Sequence, residues 1–235
     1  LTTPTEAAPA DRHAALFDEL ALVGKAFASA KRLMLIDLLA QGERTVDSLA
    51  REAGMGVSTT SAHLQVLKLS NLVTTRREGT RVHYRLAGND VVQLYSSMLT
   101  VARAHSADVA GALAAYLGLG HDELEQVTRE ELVERLQHGD VVLLDVRPTE
   151  EYAAGHLPHA RSLPFGQLAA RLDLLDPVVE VVAYCRGAHC VLASDAVRLL
   201  RAQGRTARRL EDGLLEWRLA GLPVEAGSPA ATDVR

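Results

Sequence analysis

Two cysteines, Cys185 and Cys190, are all that 235 residues hold. So few exclude a disulfide framework, and their closeness points to local chemistry in a reducing cytoplasm. No apolar run approaches the roughly 18 residues a bilayer span needs, so no membrane partner is expected. The opening Leu1-Thr2-Thr3-Pro4-Thr5-Glu6 has neither a basic start nor an apolar core. No secretory leader is therefore expected, and the missing initiator Met leaves a processed, trimmed or non-standard start open. Internal repeats and low-complexity tracts are lacking too. With 48% hydrophobic and 23% charged residues, the chain sits near the globular average, which excludes a fibrous or mostly disordered protein. Its length suits two domains of roughly 100–150 residues.

What is present is unevenly spread. Residues 1–120 carry 12 Lys and Arg against 11 Asp and Glu, whereas residues 121–235 carry 13 against 19. The acidic half is a poor nucleic-acid binder, and the front half suits one if its cations cluster. Residues 1–12 and 227–235 are expected to be disordered. From His13 the periodicity is helical, with Leu16, Leu20, Val23 and Phe27 on one face. A second helix turns Leu33, Ile36 and Leu39 inward and stops at Gly42. Thr45 reads as the N-cap of a third, ending at Glu52–Gly54. A fourth opens at Gly56 with Leu64 and Leu67. Two β-like runs, 72–76 and 81–86, meet at Glu78-Gly79 in a hairpin. A long helix from Asn89 carries Val91, Leu94, Met98 and Val101, and Gly118–Gly120 ends this half.

Three helices, a short turn and a basic hairpin form the plan of a winged helix-turn-helix. The expected reading face on the fourth helix is Ser58, Thr59, Thr60, Ser61, His63, Gln65 and Lys68. Its small hydroxyls allow close approach to phosphates and base edges. The wing sets Arg76, Arg77, Arg81 and Arg85 against one acid, Glu78, which suits phosphates or a minor groove. His63 and His83 read either as packing or as phosphate-facing histidines, with packing favoured for His63. Lys31–Leu39, Thr59–Leu67 and Glu78–Leu86 together resemble the ArsR-type family of winged-helix repressors over residues 13–104, with 105–121 as helical extension and linker. Ala62 departs from the Arg often found there. The resemblance implies a homodimer, through the first and last helices, on double-stranded DNA bearing an inverted repeat. Family members often sense metals, but Glu43–Ser48 offers no thiol, and Asp90, His105 and Asp108 lack further ligands, so no metal site or other cofactor is expected.

In the back half, short apolar runs at Val141–Leu144 and Val178–Ala183 alternate with helical stretches at 129–137, 167–175, 191–203 and 213–219. That alternation argues for a parallel α/β sheet. Cys185 stands at the end of the second run, where α/β folds place their chemistry. Loop N–H groups, the following helix and Arg186 all favour a thiolate there, lowering its pKa from about 8.5 toward ~3.5–7.5. A buried inert cysteine fits poorly beside Arg and Gly.

This half, residues 122–226, resembles a rhodanese (sulfurtransferase) domain. The stretches that carry the resemblance are Asp145–Pro158, the loop opened by Cys185, and Asp212–Trp217 with Gly221–Val224. It implies that Cys185 accepts a sulfane sulfur, as a persulfide held by the loop Arg186, Gly187, Ala188, His189 and Val191. Asp145 and Arg147 read as a turn-holding ion pair. Cys190 stands where active sulfurtransferases often carry a cation, and Gly187 comes one position early. Val191 lacks the arginine of the related phosphatases, which disfavours phosphoryl chemistry. Cys190 is either a resolving thiol for the persulfide, leaving a disulfide or a trisulfide, or a small residue at a helix start. His189 either tunes a thiol or is an ordinary loop histidine. The expectation is a cytoplasmic, homodimeric repressor that responds to a sulfane-sulfur donor. The alternatives are an active sulfurtransferase with autoregulatory DNA binding, and an arsenite- or thiophile-responsive repressor.

Overall fold

The computed structural model describes residues 9–117 and 126–228 and divides the chain after Tyr95 into two compact units. The expected end of the front half at Gly118–Gly120, and the outer parts of both termini, lie outside the described residues. Among the described helices none is long and apolar enough to cross a membrane.

The first unit opens with α1 (Pro9–Phe27). It starts inside the stretch expected to be disordered, since the fixed φ of proline suits a first helical position. The apolar row on α1 is buried only at its C-terminal end. Ala26 and Phe27 are buried, but Leu16 and Leu20 are 56% and 55% exposed. In α2 (Ala30–Ala40) Leu35, Ile36, Leu38 and Leu39 are buried, a wider stripe than the expected one. A strand that sequence did not predict, β1 (Arg44–Thr45), leads into α3 (Val46–Glu52), and Thr45 Oγ1 caps it by accepting the Ser48 N–H at 3.3 Å. Then come α4 (Val57–Leu69), β2 (Val73–Glu78) and β3 (Arg81–Leu86). The strands are antiparallel in the order β1-β3-β2. Gly79 takes a left-handed φ of 58° at the hairpin turn, a conformation glycine adopts without a Cβ clash. The strand β2 outruns its expected end because Arg77 and Glu78 still pair with Val82 and Arg81. Last is α5 (Asn89–His105), which buries Val91 and Tyr95. The Tyr95 hydroxyl donates to Asp37 Oδ1 at 3.3 Å. Leu94 and Val101, on the amphipathic pattern of this helix, are exposed.

The division after Tyr95 falls inside α5, which continues into the second unit. The expected single long helix breaks at Ser106, whose Oγ accepts the Val109 N–H at 3.3 Å and starts α6 (Ala107–Leu117). There follow β4 (Gln126–Val127), α7 (Arg129–His138), β5 (Val141–Asp145), α8 (Thr149–Ala154), β6 (Arg161–Ser162) and α9 (Phe165–Leu168). After a 3-10 turn at Leu172–Leu174 come β7 (Glu180–Tyr184), α10 (Val191–Ala202), β8 (Ala207–Leu210) and α11 (Leu214–Leu219). The five strands run parallel in the order β4-β8-β7-β5-β6.

Two expected elements differ in the second unit. The helix at 167–175 is instead α9 plus the 3-10 turn, because the Arg205 guanidinium takes the Leu172 and Leu175 carbonyls at 2.6 and 2.7 Å. The strand expected from Val178 begins at Glu180, because the Val178 N–H donates to Asp176 Oδ1 at 3.0 Å in a turn.

The sheet is buried on both faces, and strand alternation sorts its residues between them. Val181, Ala183 and Cys185 join one core, with Ala193, Ala196, Val197 and Leu200 of α10. Val182 and Tyr184 join the other, with Leu132, Leu214 and Trp217. The alternation therefore carries Cys185 to the side on which α10 begins.

Candidate functional site

Two sets of chemistry-bearing residues need placing, one in each unit. On α4, Ser58, Thr59, Gln65 and Lys68 are exposed, and Ser61 and His63 are half-buried. Thr60 is a correction: it is fully buried, and its hydroxyl donates to the Gly56 carbonyl at 3.0 Å. Facing the core leaves it no access to DNA. Gln65 Nε2 donates to the Tyr84 hydroxyl at 3.3 Å, tying the helix to the hairpin.

In the wing, Arg77, Arg81 and Arg85 are exposed. The register puts Arg81, His83 and Arg85 on the face shared with Arg76, and Arg77 on the other. Arg76 differs from expectation. Its guanidinium bonds Glu43 at 2.6 and 3.0 Å and Glu78 at 2.8 Å. Two acids rather than one thus face the wing cations, and the hydrogen bond from Arg76 holds the Glu78 carboxyl below its ordinary value. His83 lies between the same acids, its ring nitrogens 3.6 and 3.7 Å from Glu43 and Glu78.

In the second unit, Cys185 and Cys190 are joined in a disulfide, with their Cα atoms 6.0 Å apart. Both are buried. The expectation of a free Cys185 thiolate is thereby corrected. The two cysteines form one bonded pair, and the separation falls in the range of about 4.4–6.8 Å that a disulfide tolerates. Cys190 is also the N-cap of α10, and its N–H donates to the Gly187 carbonyl at 3.0 Å.

The surroundings of the loop differ from the expected anion cradle in two more ways. Arg186 adds no unbalanced charge: its Nε lies 3.0 and 3.1 Å from the carboxylate oxygens of Glu151, a buried acid on α8. The Ala188 N–H donates to Glu216 Oε1 at 3.2 Å. His189 and Val191 are half-buried.

The rest of the loop is gripped by α11. Leu214 N–H donates to the Cys185 carbonyl at 3.1 Å and Leu215 N–H to the Arg186 carbonyl at 2.9 Å. This approach demands glycine at 213, where a Cβ would sit 2.4 Å from the Gly187 nitrogen and 2.6 Å from the Cys185 oxygen. Below the loop, Arg209 on β8 donates to the Ala188 carbonyl at 2.8 Å while only 5% exposed. Burial draws its guanidinium below the ordinary arginine value, opposed by the charges of Glu211 and Glu216. Sequence reasoning missed Glu151, Arg209 and Glu216. Glu216 lay inside a quoted stretch, Asp212–Trp217, yet nothing in that stretch announces a partner on the loop.

Behind the loop, Asp145 and Arg147 form the expected ion pair, both fully buried. Arg147 Nε lies 3.0 Å from Asp145 Oδ1, and Nη2 reaches the Gly155 carbonyl at 2.8 Å. Burial opposes charge on Arg147, but the attraction and hydrogen bonds of Asp145 outweigh it and hold the guanidinium above its ordinary value. The Tyr184 hydroxyl donates to Asp145 and accepts the Leu157 N–H at 3.1 Å. Burial first, and then the Asp145 charge, push that phenol well above its ordinary value.

Known proteins match both units. Residues 29–75 match the family described as bacterial regulatory protein, arsR family, and residues 128–220 match the rhodanese-like domain. An HTH-type transcriptional regulator of Mycobacterium tuberculosis is 54% identical over 223 residues, covering 95% of this chain and 97% of that one. A sulfurtransferase of Allochromatium vinosum is 31% identical over 104 residues, 44% of this chain and 96% of its own. Among solved structures, the homodimeric winged helix-turn-helix DNA-binding domain of a possible ArsR-family regulator from Mycobacterium bovis is 51% identical. It covers 43% of this chain and 94% of its own, with a TM-score of 0.40. The chain therefore belongs with the HTH-type transcriptional regulator that it matches nearly end to end, an arsR-family winged helix-turn-helix domain followed by a rhodanese-like domain.

Proposed function

We propose that the chain is a transcriptional repressor whose affinity for an operator is set by the sulfur state of Cys185 and Cys190. The observation that carries the reading is a bonded pair of cysteines, Cα atoms 6.0 Å apart, at the exit of a central strand in an arsR-family regulator. Starting from the reduced pair, a sulfane-sulfur donor such as a polysulfide transfers one sulfur to the Cys185 thiolate and leaves one sulfur shorter. The Cys190 thiolate then attacks Cys185 Sγ. The Sγ–Sγ bond forms, the outer sulfur departs with the two thiol protons as hydrogen sulfide, and the two cysteine sulfurs supply the two electrons that reduce it. The exposed face of α4 and the exposed wing arginines Arg77, Arg81 and Arg85 supply the DNA contacts. The uncovered apolar row of α1 supplies the seam of a homodimer, which matches an inverted repeat.

The test is the affinity of the full chain for a selected inverted repeat, measured with the pair reduced and again after polysulfide. A change of about tenfold or more, in either direction, is expected, and Cys185→Ser should abolish it. Equal affinities in all three samples would overturn the reading. A second reading, a sulfurtransferase, is favoured by the position of Cys185 at the C-terminal end of β7. Repeated turnover of thiosulfate with cyanide would establish it, whereas a single sulfur loaded per chain fits the regulator. For the arsenite reading, no third ligand joins the two cysteines among the described residues.

A further inference from the structure

Ala188, in the middle of the ring closed by the disulfide, is held at both of its peptide groups by opposite charges. Its N–H donates to Glu216 Oε1 at 3.2 Å, and its carbonyl accepts from Arg209 Nη1 at 2.8 Å. The second oxygen of Glu216 is fixed in turn by the Gly213 N–H at 2.9 Å. Earlier in the ring, the N–H groups of Leu214 and Leu215 hold the carbonyls of Cys185 and Arg186. The conformation of the loop is therefore held from α11 and β8, by bonds none of which involves a sulfur atom. Hydrogen bonds to charged groups are roughly twice as strong as neutral ones, so the two on Ala188 are the strongest of those made to the ring's backbone.

We propose that Glu216 and Arg209 are positioning residues that keep the reduced loop in its ring-closing geometry. They thereby set how readily Cys190 closes on Cys185. Neither residue touches sulfur in this account. Each acts through the Ala188 backbone, shortening the search one thiol makes for the other. The proposal deepens the regulator reading by naming what tunes its thiol pair, and rests on that reading only for its biological meaning.

The test is the thiol–disulfide equilibrium of the folded full-length chain with glutathione. In this reaction two glutathione thiols deliver two electrons, the Sγ–Sγ bond breaks, each cysteine sulfur takes a proton, and glutathione disulfide forms. Glu216→Ala and Arg209→Met are each expected to shift the equilibrium toward the dithiol by about tenfold. The double variant should fall little further, because both residues act on the same residue, Ala188, and are coupled through it. Glu216→Gln keeps an acceptor oxygen without the charge and should recover part of the loss. A merely structural role would lower the melting temperature and leave the equilibrium of folded molecules in place. The proposal is overturned if Glu216→Ala and Glu216→Gln stay within about twofold of the parent chain. Those two variants decide the matter should the buried Arg209→Met fail to fold. Since the equilibrium requires neither DNA nor sulfane sulfur, a parent chain whose DNA affinity ignored polysulfide would sink the regulator reading and leave this result standing.

Discussion

Asp145, Arg147 and Tyr184 form a buried unit in which each member depends on the next. Replacing Asp145 by Asn removes the carboxylate that the fully buried Arg147 guanidinium bonds directly, and breaking a buried pair in this way costs about 3–5 kcal/mol. Chemical denaturation of Asp145→Asn should read a loss of that order, and a loss under about 1 kcal/mol would contradict the role. Tyr184 adds a pH dependence of definite sign. Its folded-state pKa is raised by burial and by Asp145, so the folded chain holds the phenolic proton more tightly than the unfolded chain does. The stability this contributes is complete below the unfolded value of about 10 and drains away as pH climbs past it. Denaturation between roughly pH 9 and pH 11 should therefore show a steeper decline for the parent than for Tyr184→Phe. At this scale, what sequence discloses depends on distance along the chain. Asp145 and Arg147 stand two residues apart in one turn, and their pairing is readable. Glu216 reaches Ala188 across 28 residues, Arg209 reaches it across 21, and Arg186 finds Glu151 across 35. Only the closed fold selects such partners.

Helices with a local cap or a strong apolar stripe are readable directly, as α3 behind Thr45 and α7 with Gly139 at its end illustrate. Short parallel strands are not. The two-residue strands β4 and β6 owe their existence to neighbours in the sheet rather than to any pattern of their own. The wing falls between these cases. Its strands and its arginines are visible in sequence, whereas the neutralisation of Arg76 by Glu43 requires β1 to lie beside β3. A graded outcome follows. Arg81→Ala and Arg85→Ala should each weaken DNA binding and flatten the plot of log affinity against log salt by about 0.9 per lost phosphate contact. Arg76→Ala should change that slope less, because its charge is already spent on two carboxylates. Fluorescence anisotropy across a salt series distinguishes the three variants, and an Arg76→Ala slope change equal to the others would refute the ranking.

For the whole molecule, the uneven charge anticipated two units of different character, and the family matches fall one in each. The depth of α1 was not anticipated. Its periodicity announces an apolar face, and periodicity alone does not say whether the same chain or another one covers it. Leu16 and Leu20 remain more than half exposed in the single chain, and rows of this kind are characteristic of association surfaces. Leu16→Glu combined with Leu20→Glu should yield a folded monomer by sedimentation, with binding to an inverted repeat reduced to that of a single half-site. A double variant that sediments as the parent does would remove α1 from the seam.

The chain has a single tryptophan, and Trp217 follows Glu216 directly on α11, buried, with its indole N–H donated to the Pro223 carbonyl at 2.8 Å. The helix that grips the cysteine loop thus carries its own chromophore. Tryptophan emission from the unlabelled protein arises from one place only, and a stopped-flow trace of it, excited selectively, during reduction would time the response of α11 to events at the sulfur atoms.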